Sequence, residues 1–384
     1  MTFFRVQHFP FLVYIPRMPF RIGQVELASN LFLAPLAGYT NLPFRLVIRE
    51  IGGAGLCTTD LVNARSLLEK NRKALKLIES RPVDRPLAIQ LFGSVPEEMR
   101  DAALFLESQN VSIVDINMGC PVRKVCKVGG GSAMMTEQDK TLRLIKTMVD
   151  SLKIPVTCKM RLGWDDTSIT APDFARALED VGVAAITIHG RTREQGFSGG
   201  VNLAGIRAVV QAIQSIPVVG NGDITNPREA ERMFEETGCA AISIGRGAFY
   251  NPWIFQHARH YLATGELPTE PDFEDRIKVV TRHLDLMVEI FGEELGCRMF
   301  RKVGPWYAKR FGPAAEFNRQ IVGLNSRAEF DAVVASYRIW RQRTMENRMQ
   351  FRTASTPEAV KTDEHAPVAA RASIPTPKGP IEWW

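Results

Sequence analysis

None of the apolar runs in the 384 residues approaches the roughly 20 needed to cross a bilayer, so no membrane partner is expected and the chain reads as cytoplasmic. The six cysteines (Cys57, Cys120, Cys126, Cys158, Cys239 and Cys297) include no C-x-x-C pair, which excludes the usual zinc and disulfide frameworks and leaves reduced thiols of a cytosolic protein. Histidine is scarce, at six. His257 and His260 stand three apart, a metal-ligand spacing, but no acidic or Cys partner accompanies them in that segment, so a solvated helix face is expected and no metal. A P-loop is missing because the glycines at 129–131 have no following lysine, and a dinucleotide fingerprint is missing because Gly220 and Gly222 have no third glycine. The opening stretch is aromatic and weakly basic but is broken by Pro10, Pro16 and Pro19, with no small-residue cleavage site after it. It reads as an N-terminal extension, 1–20, most of which initiation at Met18 would remove.

What the chain does have is repetition. Apolar runs ending in polar or glycine residues recur at 31–38, 55–62, 87–93, 113–120, 156–163, 185–191, 217–224 and 241–248. Helical apolar spacing lies between them, as at 96–107 and 172–181, so strands alternate with helices. Eight such units in roughly 230 residues fit a closed parallel barrel better than an open doubly wound sheet. The expected fold is therefore α/β, a (β/α)8 TIM barrel over 21–265, followed by a small all-α helical domain over 272–345. The tail, 353–384, is rich in Pro, Ala, Thr and Lys and is expected to be disordered.

The strand exits carry an unusual polar set: Gln90 on the third, Asn117 and Cys120 on the fourth, Lys159 and Arg161 on the fifth, His189 and Arg191 on the sixth. The seventh ends in Gly220, Asn221, Gly222 and Asp223, and the eighth in Gly245, Arg246 and Gly247. In a barrel these converge on one rim, where the last two units commonly hold a phosphate on backbone N–H groups. Cys120 sits where chemistry is usually kept, although a lone cysteine is more often a buried structural thiol.

Beyond the barrel the composition shifts. Residues 298–352 hold twelve Lys and Arg against four Asp and Glu, an excess larger than the net +6 of the whole chain. Trp306, Tyr307, Phe311, Phe317, Tyr337 and Trp340 are interleaved with those charges, and helical spacing runs through 330–340. The segment reads either as a solvated helical bundle with core aromatics or as a surface for a phosphate backbone, the latter favoured by so concentrated a charge beside a barrel.

Four stretches resemble the tRNA-dihydrouridine synthases of bacteria, closest to their B-type branch: Ala34-Pro35-Leu36-Ala37-Gly38 with Pro43-Phe44-Arg45; 117–132, from Asn117 through Gly119-Cys120-Pro121 to Gly131-Ser132; Ile188-His189-Gly190-Arg191-Thr192; and Asn221-Gly222-Asp223-Ile224 with Ile244-Gly245-Arg246. The resemblance covers about 20–344. It implies reduction of the 5,6 double bond of specific uridines in tRNA, with FMN as cofactor and NADPH as reductant. Because no side chain donates hydride, a redox cofactor is chemically required. The resemblance implies that Pro35, Leu36, Gln90, Lys159, His189, Asn221, Gly222, Asp223, Gly245 and Arg246 seat FMN, that Cys120 is the general acid for C5, and that Asn117 and Arg161 hold the uridine. Arg301, Lys302, Lys309 and Arg310 are the expected tRNA contacts of the basic segment, and a monomer is expected. Two features depart from the family pattern: Leu36 where Met is common, and Asn41 where Asp is common, which puts a local loop contact in doubt. Whether Lys159 and Arg161 turn Cys120 into a thiolate, which would defeat an acid, is open from the residues alone. Two other readings stay open: an FMN barrel acting on a free pyrimidine such as dihydroorotate, which would have no use for 298–352, and a non-catalytic RNA-binding barrel, which would have no use for Cys120.

Overall fold

The computed structural model describes residues 20–354; the expected extension up to 19 and the expected tail from 355 onward lie outside the described residues. Eight parallel strands form the barrel: β1 (Leu31–Leu33), β2 (Leu56–Thr58), β3 (Leu87–Phe92), β4 (Ile113–Met118), β5 (Val156–Arg161), β6 (Ala185–His189), β7 (Val218–Asn221) and β8 (Ala241–Ile244), and a two-residue strand, Val62–Asn63, also pairs with β3. Pairing of Ile242 with Leu31 closes the sheet on itself, and all eight expected strand exits are strand ends. The helices anticipated between them appear at Pro96–Ser108 and Ala171–Asp180.

Alternation along each strand explains why a core this apolar can hold a polar site. Leu31, Leu33, Ile89, Ile116, Cys158, Met160, Ile186 and Ile188 join the large core shared with the surrounding helices. The opposite set points into the barrel and changes character along its axis. At the lower end Phe32, Leu56, Ala88, Ile113, Ala185, Val219 and Ala241 form an apolar plug with Ile22 and Leu27. Those last two belong to an antiparallel hairpin, Phe20–Ile22 with Val25–Leu27, which stoppers that end. Two residues further along the same inward rows stand Asp115, Thr157, Thr187, Asn221 and Ser243, and beyond them Asn117, Lys159, Arg161 and His189. The carboxyl ends of the strands therefore enclose a polar chamber.

Helix Leu42–Ile51 begins at Asn41, whose side-chain oxygen accepts the Phe44 N–H at 3.2 Å. The departure from Asp thus keeps its N-cap, as expected of a residue that serves equally well there. Arg45 on this helix is fully buried and pairs with Asp84 at 2.9 Å while donating to the carbonyls of Thr40 and Glu79, so the Pro43-Phe44-Arg45 motif is architectural.

Four helices follow the barrel: Phe273–Phe291, Glu293–Ala308, Ala315–Ile321 and Arg327–Ala354. The first packs on Leu42–Ile51, with Leu286 against Leu42, Leu46 and Val47. Tyr307, Phe311, Phe317 and Tyr337 are buried core residues, so those four interleaved aromatics do not stand ready for nucleobases. The local charge excess is also smaller than 298–352 alone suggested, because the neighbouring 272–297 holds seven Asp and Glu against three Lys and Arg. Arg338 pairs with Glu274 and Arg327 with Asp285 across that boundary. His257 corrects the expectation of a solvated face: it is buried, 3.9 Å from Glu270. No group of residues able to hold a metal occurs among the described residues, and no described helix is long and apolar enough to cross a membrane.

Candidate active site

A cavity of about 320 Å³ opens at the carboxyl ends of the strands. It is lined by every barrel residue expected to seat the cofactor, hold the uridine or donate the proton: Pro35, Leu36, Gln90, Asn117, Cys120, Lys159, Arg161, His189, Asn221, Gly222, Asp223, Gly245 and Arg246; Arg191 and Gly220 of the same strand exits do not line it. Strand register accounts for the gathering, since Asn117 pairs with Lys159, Arg161 with His189, and His189 with Asn221.

The floor is a hydrogen-bonded polar network. Asn117 Nδ2 donates to Gln90 Oε1 at 2.7 Å, Gln90 Nε2 donates to Asp115 at 2.6 Å, and Thr157 Oγ1 donates to the other oxygen of Asp115 at 2.6 Å. Burial, opposed by these bonds and by Lys159, pushes the Asp115 carboxyl up to about 6. Lys159 Nζ donates to Asn221 Oδ1 at 2.9 Å, and Asn221 Nδ2 to the Ser243 carbonyl at 2.6 Å. Burial and the nearby Arg161 bring Lys159 down to about 8.

Cations crowd one wall. Asp223 takes Arg191 at 2.5 Å and Arg246 at 3.1 Å, so its carboxylate aligns two guanidinium groups. Phe197 lines the cavity with Arg246 over its ring at 4.9 Å and Arg161 at 5.4 Å. Burial first, then Arg161, Lys159, Arg191 and Arg246, hold His189 well below its ordinary value and therefore neutral. Gly222 has φ +132°, a conformation that L side chains rarely adopt, and a Cβ there would come within 2.2 Å of Val201.

Cys120 lies on the loop after β4 and is partly exposed to the cavity. Its N–H donates to Asn117 Oδ1 at 2.9 Å, and its carbonyl accepts Ser132 N at 3.0 Å, Ser132 Oγ at 3.1 Å and Cys126 Sγ at 3.4 Å. Burial raises the thiol above its ordinary value, outweighing the pull of Arg161. Arg161 is itself spent largely on backbone, donating to the carbonyls of Gly119, Thr192 and Gly196 at 2.8 Å each. The thiol is consequently protonated at neutral pH, which answers the question that its basic neighbours raised.

Sequence reasoning missed Asp115, Asp60 and Phe197. Asp115 had a signal, a carboxylate within an apolar strand. Asp60 is buried, accepts Leu61 N at 2.7 Å and also Gly38 N, and is pushed by burial up to about 7; it ties the loop after β1 to the loop after β2. Phe197 had none, because a single aromatic in a glycine-rich loop looks like any other.

Arg301, Lys302, Lys309 and Arg310 lie outside the cavity. Arg301 donates to the Leu324 carbonyl at 2.8 Å and to Asn325 at 2.6 Å, holding a loop of its own domain. Lys302 is exposed, and Arg310 approaches Glu270 at 3.8 Å. Lys309 sits over the rings of Trp306 and Tyr250 at 4.3 and 4.6 Å, and Trp306 meets Tyr39 of the cavity wall edge-on at 6.5 Å. An aromatic seam thus runs from the cavity rim to Lys309.

A closed barrel that gathers one protonated thiol, a buried lysine and three arginines at its catalytic mouth defines a (β/α)8-barrel enzyme for an anionic ligand. Comparison with known proteins narrows this. Residues 32–342 match the family model described as dihydrouridine synthase (Dus). The chain is 37% identical over 306 residues to a probable tRNA-dihydrouridine synthase of Rickettsia conorii, covering 79% of this chain and 92% of that one. It is 36% identical over 323 residues to tRNA-dihydrouridine synthase B of Xanthomonas axonopodis pv. citri (82% and 97%), and 37% identical over 312 residues to the B enzyme of Salmonella typhimurium (80% and 96%). The chain belongs to the dihydrouridine synthase family of flavin-dependent oxidoreductases, in its bacterial B-type branch.

Proposed function

We propose that this protein reduces the 5,6 double bond of specific uridines in tRNA to dihydrouridine, with FMN as cofactor, NADPH as reductant and Cys120 as the proton donor. The observation that carries the reading is a thiol kept protonated by burial at the mouth of a cavity walled by Lys159, Arg161 and Arg246, the last aligned with the buried Arg191 by Asp223. Relatives named tRNA-dihydrouridine synthases support it over a free pyrimidine as substrate.

The donor set fits FMN, a ligand with one phosphate and a ring that gains negative charge on reduction. Arg246 and Arg191, aligned by Asp223, with the loop backbone at Gly222 and Gly245, would hold the phosphate. Lys159 would stabilise negative charge on the ring, and Pro35 and Leu36 would pack against its apolar part. Neutral His189 can donate a hydrogen bond there without adding a charge. Bound FMN supplies the hydride for C6 of the uracil.

The remaining work falls to the chain. A uridine inside a folded RNA must leave its stack to enter so deep a cavity. Asn117, fixed by Gln90, and Arg161, fixed by three carbonyls, orient the base from the floor and wall. The Cys120 thiol then gives its proton to C5, and the thiolate left behind is stabilised by Arg161 until it is reprotonated.

The test is nucleoside analysis of unmodified tRNA after incubation with the FMN-loaded protein and NADPH. Dihydrouridine should appear and its position can be mapped. Loaded protein that oxidises NADPH yet leaves every uridine intact would overturn the reading.

A further inference from the structure

The loop that carries Cys120 continues into a short helix, Arg123–Lys127. Arg123, Lys124 and Lys127 on it are exposed, whereas Val125 is buried. Residues three and four apart on a helix are neighbours, so the three cations share the outer face. None of them makes an ion pair or side-chain hydrogen bond among the described residues, unlike Arg65 with Glu98, Lys146 with Asp150 or Arg232 with Glu236 elsewhere on the barrel. Like charges at this spacing repel, so the cluster costs stability and gains nothing within the fold.

Its position is also specific. Pro121 and Val122, between Cys120 and the helix, line the cavity. Cys126 on the helix reaches the Cys120 carbonyl, the Gly130 N–H returns to the Val125 carbonyl at 3.2 Å, and Ser94 Oγ ties down the Val128 carbonyl at 2.5 Å. Thiol and basic helix are parts of one hydrogen-bonded loop.

We infer that the outer face of the Arg123–Lys127 helix is an RNA-backbone contact, engaging phosphates that flank the uridine presented to Cys120. The inference rests on the proposed function and adds a contact at the rim, separate from the helical domain. Pro121 and Val122 line the cavity immediately before this helix, so a nucleotide entering beside Pro121 brings its flanking phosphates toward these cations. Unpaired lysines and arginines bind phosphate with release of counterions, which makes the contact readable as salt dependence.

The experiment compares wild type with the variant Arg123→Gln/Lys124→Gln/Lys127→Gln, both FMN-loaded. tRNA binding is titrated at several salt concentrations, and initial rates are measured against tRNA and against NADPH. The variant should keep its FMN content, its thermal midpoint and its KM for NADPH. Its KM for tRNA should rise, and the slope of log affinity against log salt should fall in magnitude by about 2 to 3, at roughly 0.7 to 0.9 per neutralised phosphate. A Lys124→Arg/Lys127→Arg variant, which keeps the charge, should bind like wild type. An unchanged slope would overturn the inference, as would a raised KM for NADPH with unchanged tRNA binding, which would assign the patch to the dinucleotide's phosphates. Binding does not depend on turnover: wild type that makes no dihydrouridine would remove the proposed function, while the slope would still decide the surface.

Discussion

The side-chain oxygen of Asn117 accepts the Cys120 N–H at 2.9 Å, while its amide nitrogen donates to Gln90 at 2.7 Å. One residue thus locks the thiol's loop to the floor of the barrel. Replacing Asn117 by Ala should free that loop and slow proton transfer at saturating tRNA, with FMN content retained because the cations on the other wall are untouched. Single-turnover formation of dihydrouridine from pre-reduced enzyme measures this directly.

Cys120→Ala should fold normally, hold FMN and be reduced by NADPH, yet form dihydrouridine about a hundredfold to ten-thousandfold more slowly. Cys126→Ala should lose little, since the Cys120 carbonyl it touches is already held by both Ser132 N and Ser132 Oγ. Near-normal turnover by Cys120→Ala would remove the acid from the mechanism.

Lys159 sits near 8 because burial and Arg161 disfavour its charge. As pH rises through that value the ammonium is lost, and with it the positive charge that a reduced flavin needs. Reduction of bound flavin by NADPH should therefore decline above about pH 8. Lys159→Gln should be slow throughout and lose this limb of the profile. Stopped-flow loss of flavin absorbance on both sides of that pH checks both expectations, and an identical profile in the variant would reassign the limb. The sign for stability is opposite: between about 8 and the ordinary lysine value the unfolded chain binds the extra proton, so this group's contribution to stability grows with pH.

Much of the site was legible because a barrel converts sequence position into spatial position. An alternating strand whose inward residues are polar has nowhere to send them but the chamber, so Gln90, Asn117, Lys159, Arg161, His189 and Asn221 could be named from the eight exits alone. Pairing between polar side chains was not legible: that Asp223 grips Arg191 and Arg246, or that Asp60 bridges two loops, depends on separations that spacing along the chain does not encode. The helical domain misled in a different way. A window drawn at 298–352 isolates basic residues from the acidic 272–297 segment on which they fold, and half-buried pairing then cancels charge that composition counts in full.

Arg45 and Asp84 form a pair with no exposed side-chain surface, and removing one partner leaves a buried charge without compensation. Asp84→Ala should cost about 3 to 5 kcal/mol, read from the urea midpoint. Because Arg45 anchors Thr40 beside the loop after β1, FMN occupancy should fall with it. A midpoint within error of wild type would show that Arg45 finds other partners.

The last expectation concerns the far side of the substrate. Of the four basic residues first picked out in the helical domain, Arg301 holds its own loop, so reversing its charge would confuse folding with binding. Lys302, Lys309 and Arg310 remain, and Lys309 stands at the end of the aromatic seam leading to Tyr39 at the cavity rim. Charge reversal at these three should weaken tRNA binding and reduce the magnitude of the salt slope by about 0.7 to 0.9 for each phosphate that is no longer neutralised. The rate at which NADPH reduces the flavin should stay unchanged, because these side chains do not line the cavity. The effect should also add to that of the Arg123–Lys127 variant if the two surfaces hold different stretches of one RNA, as independent sites do. If the triple reversal leaves affinity and slope as they were, the tRNA is held by the barrel rim alone and the exposed charges of the helical domain serve only as a solvated face.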